Sequence, residues 1–226
     1  LTIIAQLGRL LPEMGRLLPE LRNFEWSKKC DEKRHEHFKK LELSIAQNKK
    51  LCQIIRSKKK ICSASVWDTN QIEIFKNYID IYKVGSGDIH NFEIIKKIVL
   101  LNKPLILSTG LSNLYEIKKT LTFIKKINKN FMKSGKLAIL HCNTAYPTPK
   151  EDSYLGTINH LKQKIKIIVG FSDHSIGEDV ITYAFLSGAK IIEKHFSNNI
   201  NKKTFRDHAI SLNKNGVNRF LNNINN

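Results

Sequence analysis

The chain has 226 residues, of which 41% are hydrophobic and 26% are charged, and its formal net charge is +18. This length and composition are typical of one soluble globular domain, and no apolar run approaches the roughly 18 residues needed to span a bilayer. We therefore expect no membrane-spanning segment. Because the first residues contain no basic segment followed by an apolar core, we also expect no secretory signal.

Charge and cysteine content limit the expected partners and location. The positive charge suits a nucleic-acid surface or a site for anionic substrates. The lysines are nevertheless spread over predicted helices and loops without an aromatic platform, so a solvated basic face is favoured over nucleic-acid binding. The four cysteines, Cys30, Cys52, Cys62 and Cys142, form no CxxC pair. Free thiols in a reducing cytosol are the simplest interpretation, and we expect a cytoplasmic protein.

Residues 1–40 differ in composition from the rest of the chain. The first 22 residues contain no lysine and carry a tandem repeat, GRLLPEM followed by GRLLPEL. Pro12 and Pro19 would break a helix there, and two copies are too few for a solenoid. We predict an atypical N-terminal segment over 1–40 and one regular domain over 41–226.

From residue 41 the chain alternates between apolar runs of strand length and amphipathic helical patterns. The predicted helices cover 41–59, 70–79, 91–103, 113–128, 155–164, 177–189 and 216–223. Ser44 is a candidate cap of the first helix. The six predicted strands lie at 61–68, 80–88, 104–110, 136–147, 167–175 and 189–197. This alternation is typical of a parallel sheet wound with helices.

Each predicted strand begins with apolar residues and ends with polar ones. The polar groups at the C-terminal strand ends include Ser63, Ser65, Lys83, Ser86, Asp88, Ser108, Thr109, His141, Asn143, Ser172, Asp173, His174, Glu193, Lys194 and His195. Such a distribution over every strand is typical of β/α barrels, whereas an open doubly wound sheet concentrates polar groups at one switch point. We predict an α/β fold, an incomplete TIM-type (β/α) barrel with six recognisable parallel strands.

Two of these strands end on a histidine and are joined by one helix. In a βαβ unit the parallel strands end side by side, so His174 and His195 are expected at one edge of the sheet. Two neutral imidazoles there suit a divalent metal, although either could be a core histidine satisfied by the backbone. Glu193 lies on the same strand face as His195, where it would assist the metal or pair with the lysines.

Other motifs at this face indicate anion binding. Gly85 and Gly87 surround a strand end, where backbone amides can approach an anion. Lys83 and Ser86 would then grip a phosphate or carboxylate, although a purely structural turn is the alternative. Tyr146, in a proline-bounded loop, would close over a ligand or pack against the prolines.

These segments, in this order, resemble the phosphoenolpyruvate-dependent N-acetylneuraminate (sialic acid) synthase family. The matching runs are ELS at 42–44, SVWD at 65–68, YKVGSGD at 82–88, PLILSTG at 104–110, LHCNTAYPTP at 140–149, GFSDHS at 170–175, IIEKHF at 191–196 and DHAISL at 207–212. The resemblance implies a C–C bond-forming transferase. It would condense phosphoenolpyruvate with N-acetylmannosamine or a related N-acyl hexosamine, giving a sialic or nonulosonic acid and phosphate, with Mn²⁺ or Mg²⁺ as cofactor.

The resemblance also implies roles for individual residues. The implied metal ligands are His174 and His195. The implied contacts to phosphoenolpyruvate are Ser65, Lys83, Ser86, Ser108 and Ser172. The implied contacts to the sugar are Tyr146 and Asp207. The implied catalytic residues are Lys83, Asp88 and Asp207, with Asp88 in place of a common glutamate.

The sequence departs from the family pattern at both ends. Its six predicted strands match the third to eighth strands of the family barrel, and the first two are not recognisable. The run IIAQLG at 3–8 resembles the family's opening IIAEIG, but Gln6 replaces the functional glutamate. No run of this sequence resembles the family's C-terminal antifreeze-like domain, and we expect the barrel domain alone. Homodimerisation, or strands borrowed from the N-terminal segment, would cover the open edges of such a barrel.

Two further functions stay open on the sequence. One is a non-catalytic barrel remnant that binds a metal or an anion. The other is a Schiff-base aldolase with Lys83 or Lys194 as the nucleophile.

Overall fold

The structure, a computed structural model, describes residues 42–198 and 206–225 and the backbone of residues 2–6. Its strands are β1 (Thr2–Gln6), β2 (Ser63–Ser65), β3 (Ile81–Val84), β4 (Leu105–Ser108), β5 (Leu137–Cys142), β6 (Ile168–Asp173) and β7 (Ile191–His195). Its helices are α1 (Ile45–Ser57), α2 (Thr69–Phe75), α3 (Phe92–Leu100), α4 (Leu114–Ile127), α5 (Gly156–Lys164), α6 (Asp179–Leu186), α7 (Arg206–Ile210) and α8 (Lys214–Asn225). All seven strands form one parallel sheet in the order β1-β7-β6-β5-β4-β3-β2.

The six predicted strands are present as β2 to β7, and side-chain caps set several of the helix boundaries. Ser44 caps α1 as predicted, because its hydroxyl accepts from the Gln47 amide while the Gln47 side chain accepts from the Ser44 amide. The predicted strand 61–68 is shorter than expected. Its last residue, Asp68, caps α2 by accepting a hydrogen bond from the Asn70 amide at 2.8 Å.

The sheet contains one strand more than the six predicted. Residues Thr2–Gln6 form β1, which pairs with β7 in a register that places Ile4 opposite Glu193 and Gln6 opposite His195. Five residues with no following helical pattern cannot be recognised as a strand from periodicity alone. The division into an atypical segment over 1–40 and a regular domain over 41–226 stays a prediction, and residues 7–40 lie outside the described residues.

Alternate residues of the strands β3 to β7 contribute to two apolar layers. The larger layer packs the helices against the outside of the sheet and includes Tyr82, Leu105, Leu107, Ile139, Val169 and Ile192. The smaller layer fills the inside of the sheet with Ile106, Ala138, Leu140 and Ile191, against which Ile81 and Ile168 pack. On each strand the residues of the inner layer precede the polar residues that face the lumen. Polar side chains therefore line the lumen at the C-terminal ends of the strands.

An ion pair across the lumen shows that the sheet is curled. Lys83 on β3 and Glu193 on β7 are separated by three strands, a distance of roughly 19 Å in a flat sheet. Their side chains nevertheless meet, with Nζ 3.1 Å from Oε1. Gly170 on β6 allows β7 to approach closely on the inner face of the sheet, because a Cβ at this position would lie 2.5 Å from the Ile191 carbonyl oxygen. The predicted incomplete barrel is confirmed, with β1 and β2 as the edge strands of the described sheet.

The structure also describes three of the four cysteines and the hydrophobicity of the helices. Cys52, Cys62 and Cys142 are buried free thiols, while Cys30 lies outside the described residues. No helix in the described part of the chain combines the length and the hydrophobicity that crossing a membrane requires. A cytoplasmic location stays a prediction.

Candidate active site

Lys83, Ser172 and Glu193 form a buried polar centre in the barrel lumen. Ser172 Oγ donates a hydrogen bond of 2.7 Å to Glu193 Oε1, the same oxygen that Lys83 Nζ approaches. Glu193 Oε2 is buried and has no hydrogen-bond partner among the described residues. A cation and a hydroxyl are thus held beside a carboxylate that still has acceptor capacity.

A second group of side chains lies where β4 and β5 end. The Gly110 amide donates a hydrogen bond of 3.0 Å to Ser86 Oγ, which lies 3.3 Å from Cys142 Sγ. Burial raises the pKa of the Cys142 thiol, so it is neutral at physiological pH. The hydroxyl of Ser108 is buried without a hydrogen-bond partner in the described part of the chain. A buried hydroxyl in this state can donate to an incoming anion without first losing another bond.

The two histidines meet at the same edge of the sheet. Their ring centroids are 5.6 Å apart, as the side-by-side endings of β6 and β7 require. His174 donates from Nδ1 to the Asn143 carbonyl oxygen at 2.6 Å, which leaves Nε2 as an acceptor for the Tyr146 hydroxyl at 2.8 Å. The Tyr146 ring stacks on the His174 ring, with centroids 4.0 Å apart. Tyr146 therefore lies over the histidine pair.

Burial keeps both imidazoles neutral. It lowers the pKa of His174, against a smaller opposing effect of the hydrogen bond to Asn143. It lowers the pKa of His195 to about 4, although the Asp207 carboxylate, 3.7 Å from Nδ1, favours the charged form. Neutral imidazoles are the form that binds a metal ion, so neither residue has to lose a proton first.

The donor atoms at the histidine pair fit a divalent metal only in part. His195 Nε2 is buried without a hydrogen-bond partner among the described residues, and His174 Nε2 faces a hydroxyl that can rotate away. Within 42–198 and 206–225, however, no group of three or more His, Cys, Asp or Glu side chains is arranged around a metal position. These residues could hold a metal whose other ligands come from substrate and water.

Two predicted site residues lie apart from the histidine pair. Ser65, at the end of β2, is in register with Lys83. Asp88, in the 3₁₀ turn Ser86–Asp88, accepts a hydrogen bond from Trp67, and burial raises the pKa of its carboxyl against that bond. Among the described side chains, neither of them hydrogen-bonds to the histidine pair. Their assignment to the substrate site stays a prediction.

Two participants are missing from the residues that the resemblance implies. Glu193 lies at the centre of the lumen, and its position two residues before His195 is the sequence signal for it. The Asn143 carbonyl oxygen orients His174. No sequence signal identifies this group, because a backbone carbonyl has the same chemistry at every residue.

Comparison with known proteins finds one family. Residues 19–226 match the model of the NeuB family. The chain is 36% identical over 187 residues to the N,N'-diacetyllegionaminic acid synthase of Campylobacter jejuni. This alignment covers 80% of this chain and 54% of that protein. It is 33% identical over 181 residues to the N-acetylneuraminate-9-phosphate synthase of Drosophila melanogaster. That alignment covers 78% of this chain and 46% of the fly protein.

A solved structure gives the same result for the fold. The N-acetylneuraminic acid (sialic acid) synthetase of Leptospira borgpetersenii, in complex with citrate, superimposes with a TM-score of 0.78 at 25% identity. The alignment covers 88% of this chain and 68% of that one. The chain spans about half the length of the relatives that it matches in sequence.

Proposed function

The chain belongs to the NeuB family, and from this premise we propose that it forms the catalytic barrel of a phosphoenolpyruvate-dependent synthase. The reaction would join phosphoenolpyruvate to an N-acyl hexosamine, giving a sialic or other nonulosonic acid and phosphate. One observation carries the proposal. A buried cation with hydroxyl donors and a pair of neutral imidazoles line the same end of the barrel.

The anionic substrate would bind at the end of the lumen that holds Lys83. The ammonium of Lys83 and the hydroxyls of Ser86, Ser108 and Ser172 would receive the phosphate and carboxylate groups. Charge-assisted hydrogen bonds in this buried region are stronger than in water. Glu193 balances the charge of Lys83 in the free protein. On substrate binding, Lys83 and Ser172 would donate their hydrogen bonds to phosphoenolpyruvate instead of to Glu193.

The sugar would bind beside the histidine pair, where Tyr146 and Asp207 would contact it. A divalent cation held by His174 and His195 would polarise the sugar aldehyde as a Lewis acid. Imidazole donors favour a transition ion such as Mn²⁺ over Mg²⁺, which prefers oxygen ligands. The enol carbon of phosphoenolpyruvate would form a bond to the aldehyde carbon. Water would add at the phosphate-bearing carbon, the carbon–oxygen bond would break, and phosphate would leave.

A phosphate-release assay tests this function. The full chain is incubated with phosphoenolpyruvate and N-acetylmannosamine, with Mn²⁺ or with EDTA. We expect phosphate release that needs both substrates and the metal. His174→Gln and His195→Gln should each lower it by more than about 100-fold, because several kcal/mol of charge stabilisation are lost. The matched control is His160→Gln, which changes an exposed histidine on α5.

The alternatives predict other outcomes of this experiment. A non-catalytic barrel is the second candidate, favoured by the two open edge strands of the described sheet. It would bind Mn²⁺ or phosphate in calorimetry without releasing phosphate from phosphoenolpyruvate. A Schiff-base aldolase would be trapped covalently by borohydride. Lys194 is poorly placed for that role, because its Nζ lies on the helix side of the sheet, 2.5 Å from an Asp173 oxygen.

A further inference from the structure

A buried ion pair lies directly behind the two histidines, on the outer side of the sheet. Lys194 Nζ is 2.5 Å from Asp173 Oδ2 and donates to the Ser175 carbonyl oxygen at 2.5 Å. Asp173 also accepts from the Ser175 amide at 2.9 Å and from its hydroxyl at 3.0 Å. Asp173 is 1% exposed and Lys194 4% exposed, so the network is closed to solvent.

The network connects the two residues that flank His174 with the residue that precedes His195. Asp173 precedes His174 and Lys194 precedes His195, and the two members of the pair are opposite each other in the β6–β7 register. Alternate residues of a strand project from opposite faces, so a contact outside the sheet sets the direction of the neighbouring side chains inside it. Ser175 extends the contact past the end of β6, where no ladder hydrogen bonds hold His174.

The chemistry of the pair indicates a positioning role. For stability alone, apolar residues of similar volume often serve as well as a buried ion pair, because desolvation of two charges is costly. Apolar side chains cannot, however, donate to the Ser175 carbonyl oxygen or accept from the Ser175 amide. Hydrogen-bonding side chains are thus needed if the turn that carries His174 must keep one conformation.

We propose that Asp173 and Lys194 are positioning residues that fix the relative orientation of His174 and His195 for a divalent cation. The proposal rests on the proposed function for the cation, while the orientation of the turn can be measured without it. Residues that orient metal ligands from behind typically change metal affinity 10- to 100-fold when they are replaced.

The test uses a charge-neutral double variant of the full chain. Lys194→Met alone would leave the Asp173 carboxylate buried and unpaired, so it is combined with Asp173→Asn. We expect the double variant to bind Mn²⁺ about 10- to 100-fold more weakly than the wild type in calorimetry. The matched control is Arg56→Met with Asp80→Asn, which removes an ion pair remote from the histidines. It should leave Mn²⁺ affinity unchanged.

Hydrogen exchange gives a readout that needs no metal. The amides of Ser175 and Thr148 should exchange at least about 10-fold faster in the double variant and at the wild-type rate in the control. Thr148 is included because its amide donates to the His174 carbonyl oxygen at 3.0 Å. If the wild type does not bind Mn²⁺, the metal part of the proposed function fails, while faster exchange still supports the positioning role.

Three results would overturn the proposal. The first is unchanged Mn²⁺ affinity with unchanged exchange in a folded double variant. The second is an equal loss of affinity in the control, which would reflect general stability. If the double variant does not fold, Ser175→Ala replaces it, because this change removes one hydrogen bond to Asp173. Wild-type Mn²⁺ affinity and wild-type exchange in Ser175→Ala would be the third.

Discussion

At the scale of single residues, burial disfavours the charged forms of four side chains at the C-terminal ends of the strands. Burial lowers the pKa of His174 and His195 and raises the pKa of Cys142 and Asp88, and each shift favours the neutral form. Lys83 and Glu193 remain as a buried, directly contacting pair. An anionic substrate would therefore meet the Lys83 ammonium among side chains whose charged forms burial disfavours.

The single variant Lys83→Met should be less stable than the double variant that combines Lys83→Met with Glu193→Gln. The single change leaves a buried carboxylate without its cation and should cost about 3–5 kcal/mol, whereas the double change removes both charges and should cost much less. Urea denaturation measures both, with Lys190→Met, at an exposed lysine, as the control. Phosphate binding should be lost in both lumen variants. A single variant as stable as the wild type would show that the pair is not formed.

At the scale of elements, two glycines allow the strands to approach each other. A Cβ at Gly170 would meet the Ile191 carbonyl oxygen and Leu140, and a Cβ at Gly110 would lie 2.8 Å from Cys142 Sγ. The Ile191 carbonyl oxygen cannot move aside without breaking the hydrogen bonds between β6 and β7. Position 170 on β6 must therefore be glycine because of the neighbouring strand β7. The sequence of β6 alone does not reveal this requirement.

Gly170→Ala should lower the free energy of unfolding by about 1–3 kcal/mol, because the added methyl group overpacks the lumen. The matched control is Gly87→Ala, where a Cβ would have no neighbour within 4 Å. Thermal and urea unfolding of both variants provide the measurement. Equal stabilities for the two alanine variants would contradict the close approach of β6 and β7.

Asp80 connects three elements and should make stability depend on pH. Its carboxylate accepts from Arg56 at 2.6 Å on α1 and from the Cys62 amide at 2.9 Å before β2. Burial alone would raise the pKa of Asp80, but Arg56 and the Cys62 amide hold it below its usual value. Because the folded-state pKa is lowered, the stabilisation is present above about pH 4 and is lost as the pH falls through the folded-state value.

Asp80→Asn should therefore cost about 1 kcal/mol at pH 7 and progressively less below about pH 4. Urea denaturation of the wild type and the variant over this range gives the difference. Arg56→Met in a double-mutant cycle should show the same pH dependence. A difference that stays constant from pH 7 to pH 3 would show that Asp80 is not held in its charged form.

At the scale of the whole molecule, the net charge of +18 should oppose the compact state. Salt screens repulsion between exposed lysines, so raising NaCl from 0.02 to 0.2 M should raise the melting temperature by roughly 2–4 °C. A triple variant, Lys129→Glu, Lys133→Glu and Lys164→Glu, reverses three exposed charges and should show a smaller salt effect. Calorimetry measures both. An equal salt response in the two proteins would remove self-repulsion as the cause.

The amino-acid sequence by itself determined the strand–helix alternation, the cap at Ser44, and the side-by-side placement of His174 and His195. These features depend on local periodicity, on residue chemistry within one turn, and on the geometry of a βαβ unit. They are therefore present in short stretches of sequence, and the motifs at the strand ends also carry the family resemblance.

Only the tertiary structure decided which distant residues meet. Pairing of β1 with β7, the contact of Lys83 with Glu193 and the stacking of Tyr146 on His174 join residues that are 28 or more positions apart. Such contacts depend on the curvature of the sheet and on the lengths of the loops, which no single segment encodes. The candidate nucleophile Lys194 is a different case, because the alternation of side chains along β7 directs it away from the lumen, and that alternation is a property of one segment.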